Sequence, residues 1–154
     1  MTYERFVGEY LAKGLLKKQK SSPDAVEKLI LRSGKDLASA KANLEIDEGI
    51  AYAVAYLAML RAARAYMLLR GFRPDDGAQH RTVVEFMTRS LGREDAAIVE
   101  HFERMRRKRN IFTYEVDIVI SRTEAQNAFD TAVKFVGRVK EAIKKEHPQQ
   151  RFRF

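Results

Sequence analysis

Gly49-Ile50-Ala51-Tyr52-Ala53-Val54-Ala55-Tyr56-Leu57-Ala58-Met59-Leu60-Arg61-Ala62-Ala63-Arg64-Ala65-Tyr66 is the stretch on which the fold turns. Alanine is the strongest helix former, and small side chains over several turns let neighbouring helices approach closely. The segment therefore predicts a central helix, running from about Asp47 to Arg70. Gly71 ends it, and Pro74 bars continuation.

Outward from that helix, the remaining boundaries agree with a bundle. Ser22-Pro23-Asp24 places a cap, a first-turn proline and an acid before Val26, Leu29 and Ile30, so a helix starts there and runs to about Leu44. Another is expected from about Asp76 to Leu91, with His80, Val84, Met87 and Leu91 on one stripe and Gly92 at its end. The next, from about Arg93 to Phe112, carries Ile98, Phe102, Met105 and Phe112 at helical spacing. Val116 to Ile120 reads as a loop. Ser121-Arg122-Thr123-Glu124 is a capping-box pattern opening a last helix that buries Phe129, Ala132, Val136 and Ile143 before Pro148. At the other terminus, Phe6, Tyr10, Leu11 and Leu15 share a face, which predicts a packed helix over about Tyr3 to Lys18. The fold class is all-α: an up-and-down bundle of four to five helices plus an N-terminal helix. Residues 1–20 are an N-terminal helical extension packed on the bundle, 21–147 the bundle, and 148–154 a basic tail.

The 154 residues suit one domain, which at this size removes roughly two-thirds of the unfolded chain's surface from water. With no cysteine, neither a disulfide framework nor a thiolate metal site is possible, and the expected compartment is the cytoplasm. Glu4, Arg5, Glu9 and Lys13 interrupt the apolar residues of Met1 to Leu16, so no signal peptide, membrane span or membrane partner is expected. The net charge of +8 attracts polyanions at low salt. Much of it lies in Lys134, Arg138, Lys140, Lys144, Lys145, Arg151 and Arg153, against Glu141 and Glu146. Such an end complements a helix dipole as well as it meets nucleic acid, and both uses stand open.

One residue breaks the apolar pattern. At about 100° per residue, Ile98, Phe102, Met105, Arg109 and Phe112 stay within roughly 40° of one line, so Arg109 lies on the buried stripe. Arg104 and Arg107 fall on the far side, as solvated charges do. A guanidinium keeps its proton, so on such a stripe it pairs with an acid, here Glu115 or Asp117, or faces a crevice that admits an anion such as phosphate. His80 has two roles open as well: a hydrogen-bonded core histidine, or an imidazole brought to Arg109. Tyr52 and Tyr56 form a line of core packing with hydroxyls at its margin. His101 and Lys108 lie toward the edge of the stripe. With no Gly-rich phosphate loop, no nucleophile elbow and no histidine pair at ligand spacing, no metal or cofactor is expected; Asp75-Asp76 and Asp47-Glu48 read as helix-start acids.

Met105-Arg106-Arg107-Lys108-Arg109-Asn110, followed after three residues by Tyr114-Glu115, resembles the signature helix end of HEPN proteins, in which an arginine precedes a histidine by four to six residues. Ala55 to Leu60, Ala62 to Ala65, Arg70-Gly71-Phe72-Arg73-Pro74 with Gln79-His80, Ser121 and Phe135-Val136 are similar too. The resemblance implies a homodimer with the signature residues of both subunits in a cleft. It places the ligand at Arg109, Asn110, Tyr114 and Glu115, to which the imidazole reading of His80 adds that residue, and Arg109, Tyr114 and His80 are the candidates for catalysis. It further implies an accessory protein that binds a nucleotide or RNA and acts beside a minimal nucleotidyltransferase, in a setting like a toxin–antitoxin system. The alternatives are a metal-independent endoribonuclease and a ligand-free interaction module. Tyr114 stands where the family has histidine. A phenol titrates near about 10, which makes it a poor base at neutral pH. Tyr114 can instead bond a phosphate, stack on a base, or anchor the loop.

Overall fold

Alanine's small volume shapes the centre of the molecule. A computed structural model describes residues 1–75 and 79–154, except for the side chain of Phe112; the expectations placed on Asp76 and on the Phe112 side chain lie outside the described residues. Helix α3 (Glu48–Leu69) buries Ala51, Ala55, Ala58, Ala62 and Ala65 completely. Buried along most of its length, it is packed by α2 (Pro23–Asn43), α4 (Gln79–Ser90), α5 (Ala96–Tyr114) and α6 (Arg122–Glu146). A short N-terminal helix, α1 (Tyr3–Ala12), completes the set, and the chain is all-α apart from one small antiparallel ribbon.

The caps form where the sequence places them. Ser22 Oγ accepts from the Ala25 N–H at 3.1 Å, Asp47 Oδ1 from Ile50 at 3.0 Å, and Ser121 Oγ from Glu124 at 3.1 Å. Each satisfies an orphan donor of a first turn, worth about 1 kcal/mol. Arg93–Asp95 forms a 3₁₀ turn before α5. α5 itself continues past Phe112, so Tyr114 ends its last turn.

The N-terminal expectation needs correction. The helix stops at Ala12 and does not reach Lys18, because Gly14 takes a left-handed φ of 73° and Leu16–Lys18 becomes strand β1. β1 pairs antiparallel with β2 (Phe72–Pro74), Leu16 opposite Pro74. Gly71, with φ 87°, turns the chain from α3 into that strand. Phe6 is buried edge-on to Phe86, which docks α1 on α4.

The basic tail folds back on the bundle. The Arg153 backbone N–H and Nε both donate to the Glu27 carboxylate at 2.6 Å, and the half-buried Phe152 and Phe154 rings stack with centres 5.0 Å apart. No helix among the described residues is long and apolar enough to cross a membrane.

Candidate functional site

Along α5 the apolar stripe is laid down as the periodicity requires: Phe102 and Met105 are fully buried, Ile98 and Arg109 half-buried, while Arg104 and Arg107 are exposed. Arg109 thus sits where the stripe reaches the surface. Neither Glu115 nor Asp117 takes it, and no described carboxylate forms an ion pair with it. Its guanidinium carbon stands 6.0 Å from the centre of the Tyr56 ring. That is the outer range of a cation–π contact, about 6 Å.

Tyr56 comes from α3 and is 1% exposed. Its ring lies between Phe102, 5.6 Å away, and His80, 5.7 Å away, and Phe102 is backed by Phe135 at 5.0 Å. Its hydroxyl meets Nδ1 of His80 at 3.0 Å. Burial pushes the Tyr56 phenol far above its ordinary value, so it keeps its proton. His80 is held below the usual imidazole range, first by burial and then by Arg109, Arg64 and Arg106, so it stays neutral. The Tyr56 hydroxyl therefore donates to Nδ1, and we assign the imidazole proton to Nε2. Were Nε2 to act as a base, the hydroxyl would have to accept instead, leaving its own hydrogen unmatched in a buried place.

The neighbouring cations differ in how they are balanced. Arg106 holds Glu103 through two bonds of 2.8 Å, and Arg107 joins the same carboxylate at 2.9 Å. Arg64 is exposed on α3 and, like Arg109, has no ion-pair partner among the described residues. Near Tyr56 the structure thus gathers an imidazole whose proton we assign to Nε2 and two guanidiniums, Arg109 and Arg64, with no ion pair among the described residues. An oxyanion meets those needs.

Of the candidates chosen from sequence, His80 and Arg109 come together, both against Tyr56. Tyr114 does not join them: it is 79% exposed. Asn110 is exposed, and Glu115 is an exposed cap whose N–H donates to the Ile111 carbonyl at 2.9 Å. His101 is bonded to Thr131 at 2.7 Å and Lys108 to Glu124 at 3.0 Å, both on another side of α5. Sequence reasoning missed Tyr56 as the hinge of the site, along with Arg64 and Arg106. The Glu103-Arg106-Arg107 spacing of three and four residues was a usable signal for the last. Among the described residues no cluster of metal-capable side chains occurs.

The model of the HEPN domain family matches residues 26–142, most of the chain. No curated protein matches it.

Proposed function

The chain belongs to the HEPN domain family, a membership that supports a nucleotide- or RNA-related function in general, and from it we propose an accessory protein that binds the phosphate of a nucleotide or RNA in the Arg109 cleft. The observation that carries this is a half-buried guanidinium with no ion-pair partner among the described residues, set against the tyrosine whose hydroxyl holds a neutral imidazole. Buried charges are ordinarily paired, and one left open is matched by something that arrives. Arg109 binds the oxyanion, His80 donates to it, and Tyr56 orients His80.

HEPN domains often dimerise. A second copy is the partner we propose for the apolar surface beside the cleft, where Ile111, Val116, Ile118 and Val119 are exposed, Val116 to 96%. An exposed apolar run of this kind marks an interaction surface. In that arrangement Tyr114 and Asn110 reach the ligand from the dimer seam, and a minimal nucleotidyltransferase is the protein served, in a setting like a toxin–antitoxin system.

The endoribonuclease alternative draws on the same His80 and Arg109, with Arg109 stabilising charge on the phosphorane. The Nε2–H tautomer favours binding over proton abstraction. Incubation of the protein with RNA in EDTA distinguishes them: intact RNA that is retained by the wild type and released by Arg109→Ala supports the binding role. Cleavage that survives chelation and disappears in Arg109→Ala establishes the nuclease, and unchanged retention by Arg109→Ala rejects the cleft.

A further inference from the structure

The groove between α4 and α5 continues beyond the cleft into a cavity of about 380 Å³. The cavity begins about one helical turn from His80 on α4 and two residues from Arg109 on α5, at Val84 and Arg107. Glu103, which lines the cavity, carries Arg106, and Arg106 is one of the cations that hold His80 neutral. Val84, another wall residue, is one helical turn beyond His80 on α4. Val84, Leu91, Ala96 and Val99 give the cavity an apolar lining, and Glu85 and Glu100 stand at its edge. Glu103 is neutralised by two arginines, whereas Glu85 and Glu100 have no ion-pair partner among the described residues. Charge is mixed around this hollow: Arg93 and Arg107 also line it, Arg107 being held by Glu103, while Glu85 and Glu100 stand as carboxylates that can accept N–H groups.

We infer that this hollow is a nucleobase pocket, and that the site takes a purine nucleotide whose base carries N–H donors, guanine above all. The inference rests on the phosphate-binding role proposed for Arg109. A planar heterocycle fills an apolar slot of this volume, which is within the range of small-molecule sites, about 300–1,000 Å³. A carboxylate on the rim accepts hydrogen bonds and donates none. Guanine offers two parallel N–H groups, N1–H and the 2-amino group, which match the two oxygens of one carboxylate. Adenine and cytosine each offer an amino group; a carboxylate reads the latter in nucleic-acid recognition. Uracil offers a single N–H flanked by two carbonyl oxygens that a carboxylate repels. Of the two free acids, Glu85 is the reader: it is less exposed than Glu100 and close enough to Arg106 to feel its charge.

The test is calorimetric titration of the intact protein with GMP, AMP, UMP, guanosine and ribose 5-phosphate. GMP is expected to bind at least about tenfold more tightly than UMP, with Glu85→Gln removing most of that preference. Ala96→Trp plugs the pocket from an exposed position and leaves the core intact, which circular dichroism verifies; it should bring GMP down to the affinity of ribose 5-phosphate. If ribose 5-phosphate binds as well as GMP and Ala96→Trp changes nothing, the base pocket is overturned while the phosphate cleft stands. If guanosine binds and Arg109→Ala has no effect on any phosphate-bearing ligand, the pocket stands and the cleft falls. Absence of binding by all five rejects both.

Discussion

Arg70 and Arg109 each place a guanidinium over a tyrosine of α3, and they differ in what else they touch. Arg70 is clasped between the rings of Tyr3 and Tyr66, 4.7 Å from each, and bonds Glu146 at 2.8 Å, while the Tyr66 hydroxyl donates to the same carboxylate. Every charge there has an answer. Other conspicuous arginines follow suit: Arg61 on Asp36 at 2.6 Å, Arg138 on Asp95 at 2.8 Å and Arg153 on Glu27. At Arg109 the tyrosine is kept and the carboxylate omitted. Most of the conspicuous guanidiniums are thus paired, whereas Arg109, like Arg89, is half-buried with no ion pair among the described residues, and an anion is the partner its chemistry suits.

Four substitutions break or sharpen that contrast. The largest effect belongs to Phe102→Ala, which removes the ring that props Tyr56 under Arg109. It should cost about 3–5 kcal/mol in urea unfolding, and the phosphate site should go with it. Glu146→Ala strands Arg70 and the Tyr66 hydroxyl; these groups are only partly buried, so a loss of about 2–3 kcal/mol is expected, with phosphate affinity unchanged. Arg109→Ala should do the reverse, altering stability by no more than about 0.5 kcal/mol while weakening phosphate-ligand binding at least about tenfold. A destabilisation by Arg109→Ala as large as that of Glu146→Ala would mean the two sites are alike and both structural.

The smallest effect is in the pH profile. His80 and His101 titrate below the unfolded-state value of about 6.5. As pH falls through that value the unfolded chain takes up protons that the folded chain refuses, so stability rises with pH in this window and declines on acidification. Thermal unfolding followed from pH 7.5 to 5.5 should show a falling Tm, and His80→Asn should flatten the fall. A slope identical to the wild type's would show that the His80 imidazole takes up its proton alike in the folded and unfolded chain.

Much of the architecture was legible in the chain because it is written in local chemistry. Ser22, Asp47 and Ser121 are caps whose bonds span three residues. The Ile98, Phe102, Met105, Arg109 stripe repeats with the helix, so Arg109 could be singled out with no knowledge of its surroundings. The strands were not legible: three residues are too few to show alternation, and Leu16–Lys18 is extended only because Phe72–Pro74 lies beside it. The same limit hid Tyr56, whose burial looked like ordinary packing until His80, 24 residues on, met its hydroxyl.

Periodicity, capping and composition by themselves determined an all-α bundle centred on the alanine-rich helix, and an arginine on an apolar stripe. Whether that arginine would be neutralised, what would face it and where the groove would lead were decided by tertiary packing alone. The physical reason is range. A helix face follows from neighbours three and four residues away, but a charge is answered by whatever the fold brings within a few ångströms. For Arg109 that is a tyrosine ring that also holds a neutral imidazole, with no ion-paired acid among the described residues.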